Sequence, residues 1–526
     1  MPDSKFPSYS HRVPVTARNI VATSQPRAAQ AGINMLKKGG NAVDAVIATA
    51  ITLTVVEPTS NGIGGDAFAI VWDGKQLHGI NGSGRSPKAW IYERFSHLDK
   101  TPQRGWDTVT VPGAVSVWAA LSEKFGQLPF EQLFEPAIRY ATDGFPITPK
   151  TARAWKSAAT TLNEFPEFYK TFLPHGRAPK VGEIFSCEDQ AKTLELIAGT
   201  KGESFYRGEL AEKIVACSRK DGGLMTFDDL ASHKPEWVTP LSQDYQDITL
   251  HELPPNGQGL AALIAIGILD RFDLSKYPMD SADSIHLQIE VLKLAFADIK
   301  AHLADPEYMK IDPYKFLKHD YLDSRAKLID LNNASFPKSG IPYDGGTVYL
   351  TVADSDGMMV SFIQSNYMGF GSGIVIPGTG ISMQNRGCGF TLEKGHPNQV
   401  DGGKRPYHTI IPGFVTKKDA PLLSFGVMGG HMQAQGHIQI ITRIFDYGQN
   451  PQAASDFPRW YITEDSKIAV EPGFSADMLN ELTSRGHTII TDLDESTFGG
   501  AQLIYKSDDG YIAGSDHRKD GLAIGF

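Results

Sequence analysis

Thr347 follows Asp344, Gly345 and Gly346 and runs straight into Val348-Tyr349-Leu350-Thr351-Val352-Ala353, a β-rich stretch. Inside a chain a threonine is a poor nucleophile, because nothing beside it accepts the hydroxyl proton. At a new N-terminus it carries its own α-amine, whose pKa near ~8 suits it to that task. Cleavage between Gly346 and Thr347 would therefore create nucleophile and base together. Gly346 would help, since glycine tolerates a distorted backbone and lets the hydroxyl approach the preceding carbonyl. The plain alternative is a turn entering a strand, the usual role of Asp-Gly-Gly-Thr. Two further features suit the catalytic reading. Asp354-Ser355-Asp356-Gly357 and the β-rich run after it predict a hairpin, across which Ser365 could approach Thr347. Gly429 and Gly430 end an apolar run from Phe425, and their backbone amides could hold an oxyanion, although a glycine turn explains them equally well.

The surrounding pattern is mixed helix and strand. Helices are predicted over residues 27–38, ended by Gly39 and Gly40, and from Asn41 as cap to about residue 55. Others are predicted over 115–125, 132–142, 190–197, 260–269, 281–303 and 435–446, with buried strands at 68–72 and 422–427. After Asp344 the pattern turns to short strands, so composition and chemistry both place a boundary near 346. That boundary divides residues 1–346 from residues 347–526.

With 526 residues, 41% of them hydrophobic, the chain can bury a large core. A net charge of -10 and the lack of a Lys/Arg-rich run argue against nucleic acid as a partner. Residues 1–15 lack the apolar segment of a secretory signal and no apolar run is long enough to span a bilayer, so no membrane role and a cytoplasmic location are expected. Cys187, Cys217 and Cys388 fit neither a disulfide framework nor a zinc site, and reduced thiols are expected.

Other motifs carry less. Gly257-Gln258-Gly259 with Ala262 resembles a dinucleotide-binding turn, but Pro254, Pro255 and the absence of alternating strands and helices favour a structural turn. The Asn61-to-Asp66 loop lacks the lysine of a phosphate loop and reads as a tight turn near a pocket. His431 and His437 are too far apart in register to share a helix face as zinc ligands, so neither metal nor cofactor is expected.

Taken in order, these residues resemble the γ-glutamyltranspeptidase family of N-terminal nucleophile hydrolases over nearly the whole chain. The landmarks are Gly39-Gly40-Asn41-Ala42 with Asp44, Gly62-Ile63-Gly64-Gly65, Val111-Pro112-Gly113, Pro254-Pro255 with Gly257, Asp344-Gly345-Gly346-Thr347, Asp356-Gly357, Phe370-Gly371, Arg405-Pro406 and Gly429-Gly430. The resemblance implies an α+β chain with a four-layer αββα fold and a proenzyme cut before Thr347. Its two subunits would stay associated as a heterodimer, with a dimer of heterodimers as the further option. It also implies amide cleavage through an acyl-enzyme, with Thr347 as nucleophile, Ser365 as supporting hydroxyl, and Gly429 and Gly430 as oxyanion hole.

The substrate positions depart from the family. The acid that holds the substrate α-amine, just before the phenylalanine of Asn-Gln-Met-Asp-Asp-Phe, is replaced by Gly389 in Gln384-Asn385-Arg386-Gly387-Cys388-Gly389-Phe390. The serine pair that binds the α-carboxylate corresponds to His408 and Thr409, and the family arginine has only a shifted candidate, Arg85. The hairpin asparagine falls on Tyr367, with Asn366 one place earlier. Loss of the acid and gain of Arg386 and His408 should favour an anionic acyl group. The expected function is hydrolysis or transfer of γ-glutamyl groups, glutathione included, on a small-molecule amide. The alternatives are an amidohydrolase of another acyl amide, such as a dicarboxyl monoamide or a β-lactam side chain, and an uncut binding protein without activity.

Overall fold

The computed structural model describes residues 12–335 and 346–526, so residues 1–11 and the Asp344-Gly345 part of the cleavage motif lie outside the described residues. Where the sequence carries local signals, the elements form as expected. Helix Pro26–Lys37 is followed by helix Ala42–Val56, whose Asn41 side chain accepts the Val43 and Asp44 N–H groups while the Asp44 carboxylate takes the Asn41 N–H. This reciprocal cap starts a helix with every residue buried, so its apolar character on all sides is met by packing on all sides. The helix expected over 132–142 divides into a 3-10 turn, Phe130–Phe134, and helix Glu135–Asp143. Pro136 explains the break: a proline is tolerated in a first turn and not inside a helix.

Two seven-stranded antiparallel sheets face each other. In the first the order is Leu522–Gly525, Ile20–Thr23, Gly346–Ala353, Met359–Tyr367, Asp66–Trp72, Leu77–Asn81 and Glu236–Val238. In the second it is Val15–Ala17, Gly510–Ser515, Gly500–Ser507, Ala420–Met428, Gly413–Lys417, Ile248–Glu252 and Leu241–Tyr245. Phe68, Ile70, Tyr349 and Ile363 from the first sheet meet Leu253, Phe414 and Ile504 from the second in the layer between them. Helices Pro26–Lys37 and Ala42–Val56 cover the outer face of the first sheet, and Gly259–Leu269, Ala282–His302 and Met432–Phe445 cover the second. The fold is thus α+β in four layers, αββα.

Strand parity decides where the chemistry sits. Val348, Leu350 and Val352 pack toward the helices, so Thr347, Tyr349 and Thr351 point the other way, into the space between the sheets. On the neighbouring strand Ser361, Ile363 and Ser365 share that side: the Tyr349 hydroxyl lies 2.7 Å from Ser361 Oγ. Thr347 and Ser365 therefore close one end of the inter-sheet layer, next to where strand Ala420–Met428 delivers Gly429 and Gly430.

Candidate active site

Thr347 lies where the hairpin slips register. Gly346 pairs with Tyr367 but Val348 pairs with Gln364, so one residue faces two, Ser365 and Asn366. Such a bulge re-aims side chains at a strand end. Thr347 is 2% exposed, and its Oγ1 lies 3.3 Å from Ser365 Oγ. Ser365 Oγ also accepts from the Tyr367 N–H at 2.7 Å and from Arg386 Nη2 at 3.2 Å. Thr347 Oγ1 donates to the same oxygen, so Ser365 gathers the Thr347 hydroxyl, the Tyr367 N–H and the Arg386 guanidinium at one point.

A third group at Thr347 was not foreseen from sequence. Gln433, in the first turn of helix Met432–Phe445, donates Nε2 to Thr347 Oγ1 at 3.4 Å and accepts the Ile411 N–H at 3.0 Å. Its signal was available: a helix opening directly after Gly429-Gly430 brings its first side chains to the glycine turn. Gly429 and Gly430 have φ of +111° and +59°, conformations that L side chains adopt rarely. Their carbonyls are engaged, by Met432 N–H at 3.0 Å and by Gln433 N–H at 3.2 Å, while neither glycine N–H donates to an acceptor among the described residues. The turn thus presents free N–H groups at the positive end of a helix, a favourable place for developing negative charge.

Gln258 ties this turn down. Its Nε2 reaches the Gly430 carbonyl at 2.8 Å and the Thr409 carbonyl at 2.6 Å, and its Oε1 accepts the Tyr407 hydroxyl at 2.9 Å. The Gly257-Gln258-Gly259 stretch is accordingly a structural turn. A Cβ on Gly259 would meet Glu252 at 2.8 Å, so this glycine serves close helix-to-strand packing. The Asn61-to-Asp66 loop is likewise tight, with the Gly65 N–H on the Gly62 carbonyl.

Arg386 is fully buried. Its Nη1 reaches Thr409 Oγ1 at 2.9 Å, the Tyr367 ring lies 4.5 Å from the guanidinium, and its Nε has no partner among the described residues. Burial lowers its pKa to about 10 against the pull of Asp66, so it stays charged at neutral pH. Asp66 was not among the candidates. Burial raises its carboxyl to about 7, opposed by Arg386 and by hydrogen bonds from Gln384 and Gly113. His408 Nε2 lies 3.1 Å from Asp66 Oδ2, and His408 Nδ1 accepts the Ile410 N–H at 3.3 Å. Burial and the nearby Arg386 push the His408 pKa well below its ordinary value, so the ring is neutral. The expectation that His408 adds positive charge is corrected: a desolvated imidazole beside a guanidinium does not hold a proton.

The remaining candidates divide. Asn366 donates to Ser382 Oγ at 2.9 Å, and its Oδ1 is unpartnered among the described residues. Tyr367 adopts φ +75° at the strand end. Arg85 is not brought into this network: its guanidinium is held by Asp305 at 2.7 Å, Glu307 at 2.9 Å and the Gly403 carbonyl at 3.1 Å. At Gly389 an added Cβ would fall 2.3 Å from the Tyr407 carbonyl oxygen, so the backbone itself excludes an acid there. All three cysteines are free and buried. Among the described residues, His286, Glu290 and His487 are the group with metal-ligand spacing, but the Lys293 ammonium sits 2.8 Å from Glu290 and neutralises the carboxylate. A cavity of about 320 Å³ opens beside Tyr367, Gly389, Tyr407 and His431.

Comparison with known proteins agrees with this geometry. Residues 28–526 match the gamma-glutamyltranspeptidase family. The glutathione hydrolase-like YwrD proenzyme of Bacillus subtilis is 35% identical over 523 residues, covering 97% of this chain and 99% of that one. The oxamate amidohydrolase proenzyme of Klebsiella pneumoniae is 34% identical over 532 residues, covering 98% of this chain and 100% of that one. The crystal structure of a cephalosporin acylase from Bacillus halodurans is 49% identical with a TM-score of 0.95, covering 100% of this chain and 99% of that one.

Proposed function

The chain belongs to the γ-glutamyltranspeptidase family and is an N-terminal nucleophile hydrolase, and we propose that it is cut between Gly346 and Thr347 and then cleaves amides whose acyl group carries a carboxylate. In this reading residues 1–346 form the large subunit and residues 347–526 the small one. The freed Thr347 amine takes the Thr347 hydroxyl proton and Oγ1 bonds to the amide carbonyl carbon. Ser365 Oγ, 3.3 Å from Thr347 Oγ1, orients the attacking hydroxyl, with Arg386 behind it favouring negative charge. The N–H groups of Gly429 and Gly430 hold the oxyanion, the amine leaves with the proton from the Thr347 ammonium, and water or another amine takes the acyl group.

The observation that carries the acyl assignment is Arg386, charged, without access to water, one hydroxyl away from the nucleophile, and with Nε unpartnered among the described residues. A carboxylate fits such a donor set, while an ammonium has no acid at Gly389 to meet it. A dicarboxyl monoamide therefore suits the pocket best, on either a simple amine or a β-lactam nucleus. Hydrolysis of γ-glutamyl compounds, glutathione included, is the second reading, favoured by the relatives that bear that name.

Glutaric acid monoanilide and γ-glutamyl anilide differ only by the α-ammonium and separate the two readings. Processed protein should show a kcat/KM at least about tenfold higher on the glutaric anilide. The reverse ratio would restore the γ-glutamyl assignment. A single full-length band on denaturing electrophoresis, shared by Thr347→Ala, would sink the enzyme altogether.

A further inference from the structure

The cavity beside the active site has a composition that the chemistry above does not use. Its volume of about 320 Å³ lies at the lower end of the range that takes a drug-sized moiety. Phe296, Leu303 and Phe390 form buried walls and Leu392 is half-buried among them. Lys300, Glu393 and Glu464 stand at the exposed rim with charges of both signs, so the rim does not select an anion or a cation. The selecting feature is the apolar wall.

The position of the cavity fixes which half of the substrate it would take. Tyr367 lines it and also carries the Arg386 guanidinium 4.5 Å from its ring, so one aromatic ring stands between the acyl-side charge and the cavity. His431, next after the oxyanion glycines, lines it as well and stacks on Tyr407 with ring centroids 5.7 Å apart. Arg386 is sealed from water, whereas this cavity opens past Lys300 and Glu393 to solvent. The amine released by acyl transfer has to leave, and this cavity offers it a side open to solvent.

We infer that this cavity is the subsite for the amine half of the substrate and that it takes a bulky apolar amine, aromatic or fused-ring, in preference to ammonia or a small polar amine. The inference rests on the amidohydrolase reading above. The apolar surface that such an amine loses to water gives the discrimination, and a primary amide leaves the cavity unused.

Glutaric acid mono-2-naphthylamide and glutaric acid monoamide share the acyl group and differ in the amine. The naphthylamide should bind with a KM about tenfold lower. Leu392→Trp, which fills the cavity from its half-buried wall, should raise the naphthylamide KM about tenfold relative to the monoamide KM. Equal KM values for the two amides, or a Leu392→Trp variant that moves both alike, would overturn the subsite while leaving the reaction in place. Binding read without turnover separates the two ideas further. By calorimetry, 2-naphthylamine should bind the uncut Thr347→Ala chain and lose at least about tenfold in affinity when Leu392→Trp is added. If that holds while no amide is cleaved, the reaction is wrong and the subsite right; if naphthylamine does not bind, the subsite is wrong whatever the activity.

Discussion

At the scale of single residues, the proposed acyl preference turns on the charge state around Arg386. Its guanidinium remains protonated at neutral pH, His408 is neutral, and the Asp66 carboxyl titrates at about 7. Below pH 7 Asp66 is protonated and the cluster carries a full positive charge. Above pH 7 Asp66 ionises and offsets Arg386, so the KM for an anionic acyl group should rise as pH passes from 6 to 8. Asp66→Asn should flatten that rise, measured as KM against pH; a profile unchanged by the substitution would remove Asp66 from substrate recognition. Arg386→Gln should raise the KM of a glutaric anilide about 30-fold, since removing one member of a desolvated charge pair costs about 2 kcal/mol or more. It should also lower kcat, because Arg386 acts on Thr347 through Ser365. Lysine is not an adequate replacement, as it cannot reach Thr409, Ser365 and a substrate carboxylate with one planar fork. Gly389→Asp should fail to restore γ-glutamyl activity, because its Cβ collides with the Tyr407 carbonyl; a gain of that activity would show that the loop yields.

At the scale of elements, the proposed catalytic end of the molecule is a strand, a glycine turn and a helix N-terminus held together by Gln258 and Gln433. Gln258→Leu keeps a side chain at that position and removes the bonds to the Gly430 and Thr409 carbonyls and from the Tyr407 hydroxyl. It should lower kcat about tenfold or more with KM nearly unchanged, because a misplaced oxyanion turn weakens transition-state binding more than substrate binding. A matched loss in KM alone would make Gln258 a packing residue. What the sequence made legible here was local: the Asp354-to-Gly357 hairpin turn, the Asn41 cap and the glycine pair. Resemblance to a family supplied the order of layers. Gln433 had a local signal in the helix that opens after the glycine pair, but hidden from sequence were the partners that tertiary packing brings from far along the chain, namely Gln258 and Asp66. The bulge that sets Ser365 against Thr347 depends on a register shift at Gly346, and the neutral state of His408 depends on burial. None of these leaves a periodic or spacing signal, and Arg85, the shifted candidate for the family arginine, lies in a different ion-pair cluster.

At the scale of the whole molecule, the proposed cut at Gly346 severs a chain whose sheets are woven from both sides of it. In the first sheet, hairpin Gly346–Ala353 and Met359–Tyr367 lies between Ile20–Thr23 and Asp66–Trp72. In the second, Gly413–Lys417 pairs with Ile248–Glu252, and Val15–Ala17 pairs with Gly510–Ser515. Polar bonds add to the interlock: Arg405 holds Glu236 through two hydrogen bonds of 2.7 and 2.6 Å, and Asp520 accepts the Thr148 hydroxyl at 2.6 Å. Removing either piece would expose unpaired strand edges and the apolar layer between the sheets, so neither piece can close the two sheets by itself. The processed protein should therefore elute from size exclusion as one species containing both fragments, and both should unfold in one transition. Each fragment expressed alone should be insoluble or lack the near-ultraviolet dichroism of packed aromatic side chains. A separately expressed large fragment that stays soluble with native-like dichroism would contradict this argument, and would mean that the second sheet closes without Ala420–Met428 at its centre.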